Sequence, residues 1–272
     1  MSAQEMSFWD HLEELRWTLF RIVIVLFIFA IGGFVIMPQF FDNIIMAPAK
    51  ADFFLYQWMC RLSRSMPGLP DFCDDHFSIN MINIDLTAPF FRHLSTSFWL
   101  ALILICPYIL FEIWRFVSPA LYKHEKNNVR WVFLFGSLMF FAGCLVGYGL
   151  IFPMTLRFLY SYTLSDVIRN TVSLDSYMDN FLILVFVMGL IFEMPLISWL
   201  LSQIGILKKS FFKTYRRHAV VALLMLAAVI TPTGDPFTLS LVFIPLYALY
   251  ELSILLVKAD PKEEEEVSLD KI

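Results

Sequence analysis

Charge is what this sequence has least of. Only 16% of its 272 residues are Asp, Glu, Lys or Arg, against about 25% in an ordinary soluble domain. A water-soluble fold of this length could bury a large core, but it could not coat itself with so few ions. With 59% of residues hydrophobic and 29 phenylalanines, lipid is the better solvent for much of the surface. The net charge of −4 carries little meaning, because Glu263 to Glu266 form a run near the C-terminus. Catalytic signatures are missing as well. No Walker-type phosphate loop, GxGxxG, HExxH, GxSxG or CxxC occurs, and the histidines at 11, 76, 93, 124 and 218 do not cluster. An ATP-driven pump, a metalloprotease and a serine hydrolase would each lack their key parts. No enzyme, cofactor, metal or nucleic-acid partner is expected; the protein binds or moves something. No small-residue cleavage site follows the first apolar run, so no cleavable signal peptide is expected.

What is present is apolar length. Five runs suffice to cross a hydrocarbon layer at about 20 residues each: 17–37, 94–117, 131–152, 181–204 and 237–257. A sixth, His218–Ile230, is short at about 13 residues, which also suits a re-entrant segment. Its flanks favour a span. Lys208, Lys209, Lys213, Arg216 and Arg217 precede it, and the turn Thr231-Pro-Thr-Gly-Asp-Pro236 follows with no basic residue. The bilayer would thin to match it. The expected fold is an all-α membrane protein with six transmembrane helices in a single polytopic domain, residues 1–272.

Six spans put both termini on one side, and the cations say which. One face collects Arg16, Arg21, Arg115, Lys123, Lys126, Arg130, the five residues before the short span, and Lys258, Lys262 and Lys271. The other holds Lys50, Arg61, Arg64, Arg92, Arg157 and Arg169. The richer face is cytoplasmic by the positive-inside rule, so both ends, including the acidic tail 258–272, are expected in the cytoplasm. The long first outer loop, about 38–93, contains Cys60 and Cys73. In an oxidising compartment they either bridge a hairpin or remain two thiols in an ordered loop. Cys106 and Cys144 fall inside apolar spans and read as small hydrophobes.

A few polar residues stand out. Ser7 and Asp10 have capping-box spacing, and Phe8, Leu12, Leu15 and Leu19 form one apolar stripe. The spacing predicts a short interfacial helix over 1–16 that runs into the first span, with Glu13, Glu14 and Arg16 at the membrane–water boundary. It is either a functional surface or an ordinary anchor. Glu193 lies mid-span, two residues before Pro195. A carboxylate at that depth costs a few kcal/mol and is functional or internally bonded. Pro195 frees the carbonyl of Ile191, so an interruption is expected there. Glu112 and Glu251 sit nearer span ends and rank below it. Pro119 should break the helix continuing the second span, leaving Glu125 among Lys123, His124, Lys126 and Arg130. A salt-bridged turn and a binding carboxylate fit that cluster equally.

Together, His11-Leu-Glu-Glu-Leu-Arg16, Trp114-Arg-Phe-Val-Ser-Pro-Ala-Leu-Tyr-Lys-His-Glu125, Phe192-Glu-Met-Pro195, Thr231-Pro-Thr-Gly-Asp-Pro236 and Ile244-Pro-Leu-Tyr-Ala-Leu-Tyr-Glu251 resemble the TatC family. TatC is the multispanning receptor subunit of the twin-arginine protein translocase of the bacterial cytoplasmic (inner) membrane. The resemblance covers residues 7 to about 257 in unbroken motif order. It implies six spans with both ends cytoplasmic, a short fifth span, and transport of folded proteins driven by the proton-motive force. It also implies that Glu14 and Glu125 bind the consecutive arginines of signal peptides. Guanidinium pairs bidentately with carboxylate in a way lysine cannot copy. Pro119 would fix one of the two acids, Phe116, Leu121 and Tyr122 would shape the apolar wall beside the arginines, and Arg16 would organise the surface. By the same resemblance Glu193 contacts single-helix TatA and TatB partners, Pro48 and Asp235 occupy family positions, and the assembled complex is a homo-oligomer.

Two departures stand beside the match. The outer stretch 51–80 is longer than expected, and Leu239 replaces a frequent glutamine four residues after Asp235. A competing class is a proton-coupled secondary transporter with Glu193 as its mid-membrane site, although no internal repeat of the usual transporter kind is visible.

Overall fold

The computed structural model describes residues 8–65, 79–117, 129–165, 170–203, 205–231 and 233–257. Five helical stretches are long and apolar enough to cross a membrane: His11–Ala49, Ala88–Phe116, Phe133–Ser161, Leu174–Gln203 and Pro236–Leu256. They coincide with the five long apolar runs. Helix α9, Arg216–Ile230, has 15 residues. At about 1.5 Å per residue it falls short of a hydrocarbon layer about 30 Å thick. Contacts divide the chain into two compact units, one of Met1–Phe40 with Pro89–Leu138 and one of Phe41–Ala88 with Met139–Ile272.

The first unit is built on α1, Phe8–Phe40, and most of α3, Ala88–Val117. No glycine or proline interrupts α1 before Gly32, so the predicted interfacial helix and the first span form one continuous rod. The Ser7–Asp10 cap lies outside the described side chains. Only 6% of the first span's apolar window is buried within the chain, and Phe27, Ile31 and Val35 are left exposed. Such a face suits lipid. The helix passes Pro38 and reaches Phe40, taking in the first three residues of the expected loop. Proline has no N–H for the carbonyl four residues back, and the ring Nε2 of His93 lies 2.9 Å from that carbonyl of Phe34.

The second unit opens with a π-turn, Phe41–Ile45, a 3₁₀ turn, Ala47–Ala49, and α2, Phe54–Ser65, all inside the expected outer loop. Helix α4, Val129–Val146, enters this unit at Met139 and passes through a π-turn at Gly147–Ile151 into α5, Phe152–Ser161. Pro153 is the cause, since it cannot donate to Gly149 and the coil widens by one residue. Two-residue strands β1, Met81–Ile82, and β2, Val172–Ser173, pair in parallel. Helices α6, Leu174–Phe192, and α7, Met194–Gln203, follow, then α8, Lys209–Thr214, α9 and α10, Pro236–Leu256. Phe140, Phe152, Tyr177, Met178, Leu184 and Met188 are buried at its centre. Backbones approach closely there. A Cβ on Gly143 would sit 2.5 Å from the carbonyl oxygen of Met188, and one on Gly189 would sit 2.7 Å from Cys144 Sγ. Small residues at helix crossings replace the hydrophobic drive that lipid removes.

Candidate functional site

His11, Glu14, Thr18 and Arg21 recur at three, four and three residues on α1, and therefore share a face. Tyr108, Glu112 and Phe116 do the same on α3. The two polar stripes meet. The His11 ring stacks on Phe116 with centroids 4.2 Å apart and planes 18° from parallel. Ten residues further along α1, Arg21 Nε donates to Glu112 Oε1 at 3.1 Å and Arg21 Nη2 donates to Oε2 at 2.8 Å. Tyr108 Oη adds a third donor to Glu112 Oε1 at 3.0 Å, and Arg21 Nη2 also reaches Thr18 Oγ1 at 3.1 Å. Glu112 and Thr18 are 2% and 4% exposed, so the network is built into the packing of this unit. The apolar residues Leu12 and Leu19 are left outward and exposed.

Glu14 lies between these two contacts and is half-buried. Arg16 points elsewhere. It is exposed, bonds Glu13 at 3.1 Å, and holds its guanidinium 5.9 Å from the Trp17 ring centroid. An exposed pair of that kind adds little stability. Phe116 is the last of the expected wall residues within view. Pro119, Leu121, Tyr122 and Glu125 lie outside the described residues. The pairing of Glu112 with Arg21 is what sequence reading missed. Its signal was an arginine and a glutamate each set inside an apolar run, one in the first and one in the second.

In the second unit Glu193 sits between α6 and α7. Its N–H bonds to the Leu190 carbonyl at 3.1 Å, a tightened turn, and its own carbonyl accepts from Ile197 at 2.9 Å. The interruption expected from Pro195 is therefore present. The side chain is 5% exposed, and neither carboxylate oxygen has a hydrogen-bond partner among the described residues. Glu251 bonds Arg216 at 2.7 Å.

Asp235 is the N-cap of α10. Its Oδ1 accepts from the Thr238 amide at 2.7 Å and its Oδ2 from Thr233 Oγ1 at 2.6 Å. Burial alone would raise its pKa, but these hydrogen bonds outweigh it and hold the carboxyl below the ordinary aspartate value. Gly234 takes φ +60° just before it, a conformation glycine adopts without strain. Pro48 is buried in the 3₁₀ turn, and Tyr56 Oη lies 2.9 Å from its carbonyl and 3.1 Å from that of Pro153. Tyr148 and Tyr177 donate to the carbonyls of Ile44 and Ile45. Three tyrosines thus satisfy backbone acceptors that the irregular stretch 44–48 leaves open. Burial pushes the Tyr56 phenol pKa upward, and the nearby Arg157 offsets this only in part. Cys60 is disulfide-bonded; Cys73 lies outside the described residues. Cys106 and Cys144 keep buried thiols.

The family model for the Sec-independent protein translocase protein TatC matches residues 10–245. The chain belongs to the TatC family. A TatC protein of Blattabacterium sp. from Periplaneta americana is 34% identical over 251 residues, covering 92% of this chain and 94% of that one. One from Koribacter versatilis is 30% identical over 92% of this chain and 84% of its own length. A crystal structure of the twin-arginine translocase receptor TatC superposes with a TM-score of 0.71 at 30% identity, covering 90% of this chain and 97% of that one. As a TatC-family member, the chain is a multispanning, inner-membrane component of a protein translocase that works with other Tat subunits.

Proposed function

We propose that the chain is the subunit that receives signal peptides carrying two consecutive arginines, with Glu14 and Glu125 as the paired carboxylates. The observation that carries this reading is the half-buried Glu14 on a stripe fixed before and after it by contacts to α3. A carboxylate held on a rigid helix and partly withdrawn from water favours the planar guanidinium fork over a hydrated ammonium. Phe116 stacks on His11, one turn before Glu14 on the same stripe. Leu121 and Tyr122 continue that wall in sequence, Pro119 fixes the loop that carries Glu125, and Arg16 organises the surface.

In this reading α9 is the short fifth of six spans and both termini are cytoplasmic, which agrees with the distribution of lysine and arginine. Glu193 meets the single helix of a TatA- or TatB-type partner; its buried carboxyl, with no donor among the described residues, is relieved when a neighbour supplies one. Several copies assemble around the cargo, and the proton-motive force drives transport of the folded protein. The transporter alternative gains nothing from a match to a protein translocase family.

A photocrosslinking group beside the arginine pair of a peptide tests the site. Labelling should map to the first turns of α1 and to residues 118–125, and a Lys-Lys peptide should label far less. Equal labelling by both peptides would overturn the reading.

A further inference from the structure

Resting on that receptor reading, we propose that Arg21 and Glu112 are positioning residues of the arginine-binding surface: their pair fixes the register of α1 against α3 and thereby sets where Glu14 is presented.

Neither residue belongs to the stretches that mark the family, and neither is exposed enough to meet a peptide directly: their side chains are 35% and 3% exposed. The contact they make is specific in a way the apolar contacts of this helix pair are not, and it lies nearer Glu14 than the His93–Phe34 hydrogen bond at the other end of the pair. In lipid, apolar side chains gain nothing by facing each other rather than acyl chains. The His11–Phe116 ring stack tolerates sliding, because aromatic pairs accept a range of offsets. A two-point guanidinium–carboxylate fork does not; it closes in one orientation. Here Tyr108 and Thr18 occupy further positions around the same two groups, so Glu112 accepts three hydrogen bonds and Arg21 donates three.

Displacing α1 by one residue would turn its polar stripe by about 100° and shift it by about 1.5 Å. Glu14, two turns before Arg21 on that stripe, would then leave the face toward α3. A free-energy penalty resists this, because separating the pair strands a buried carboxylate. Arg21 and Glu112 therefore act on signal recognition through Glu14 and without touching the peptide.

The test uses the full chain in lipid nanodiscs and labelled peptides carrying Arg-Arg or Lys-Lys, with affinity read by fluorescence anisotropy and folding by thermal melting. Glu112→Gln and Arg21→Met should each lower the Arg-Arg over Lys-Lys preference by about tenfold, the scale of one charge-assisted hydrogen bond. The double variant R21M/E112M removes the charges yet fills the space, so it should melt near the wild type and still lose the preference. The exchanged pair R21E/E112R should recover most of it. A folded R21M/E112M that keeps the wild-type preference would overturn the positioning role while leaving the receptor reading intact. Equal affinities for the two peptides in the wild type would instead overturn the receptor reading itself.

Discussion

The ring Nε2 of His93 lies 2.9 Å from the carbonyl oxygen of Phe34, and the two rings stack with centroids 4.0 Å apart and planes 6° from parallel. Phe34 stands four residues before Pro38, so its carbonyl has no helical donor. A carbonyl only accepts, which puts the hydrogen of His93 on Nε2. Neighbouring helices meet proline's missing bonds this way inside bilayers. His93→Phe keeps the stack and deletes the donor. Thermal or denaturant unfolding of that variant should register a loss of about 1–3 kcal/mol, and His93→Gln should recover part of it.

Asp235 offers a cap and a pH dependence together. Asp235→Ala should destabilise the protein by about 0.5–2 kcal/mol, and Asp235→Asn by less, since both Asp and Asn cap well. The folded-state pKa is depressed by the Thr233 and Thr238 hydrogen bonds. Its contribution is therefore complete above the unfolded value of about 3.9 and fades as pH falls through the lower folded value. Melting temperature measured from neutral pH downward should fall less steeply in Asp235→Asn than in the wild type.

Tyr177 is 1% exposed and donates to the Ile45 carbonyl at 2.5 Å. Tyr177→Phe preserves the ring contacts with Phe152 and Phe181 and strands that acceptor. A loss of about 1–3 kcal/mol is expected, with faster amide exchange across residues 44–49 in the mass-resolved exchange pattern.

Gly189 and Gly143 should tolerate nothing larger. A methyl at Gly143 meets the backbone oxygen of Met188 at 2.5 Å, which cannot turn aside as a side chain would. Gly143→Ala should cost about 1–3 kcal/mol as an overpacked crossing, read as reduced yield and a lower melting temperature. Gly32, with open space around it, is the control: Gly32→Ala should be neutral or stabilising.

Glu193→Ala should leave peptide affinity unchanged and reduce co-purification with single-helix partners, because its carboxylate is buried with no donor among the described residues. Lost peptide binding with normal partner assembly would reverse that assignment.

The long helices were legible because hydrocarbon thickness demands about 20 apolar residues in a row, a local property. The interruption at Glu193 was legible for the same reason: the missing donor of Pro195 acts within one turn. What depends on which helices adjoin was not. Arg21 and Glu112 are 91 residues apart, Tyr177 and Ile45 are 132 apart, and no periodicity within either stretch names its partner. The polar stripe 11–14–18–21 was overlooked for a related reason. The apolar stripe defined the helix and is left exposed at Leu12 and Leu19, while the side that packs is the one carrying the scattered polar residues, whose common face shows only once α3 is placed against it.

The most direct measurement is the ratio of affinities of the full chain for Arg-Arg and Lys-Lys signal peptides, taken in the wild type and in Glu14→Gln. A receptor using Glu14 as a guanidinium-binding carboxylate should favour Arg-Arg by about tenfold or more, and the substitution should bring the ratio close to one. A wild-type ratio of one, or a ratio that Glu14→Gln leaves unchanged in a folded protein, would contradict the account.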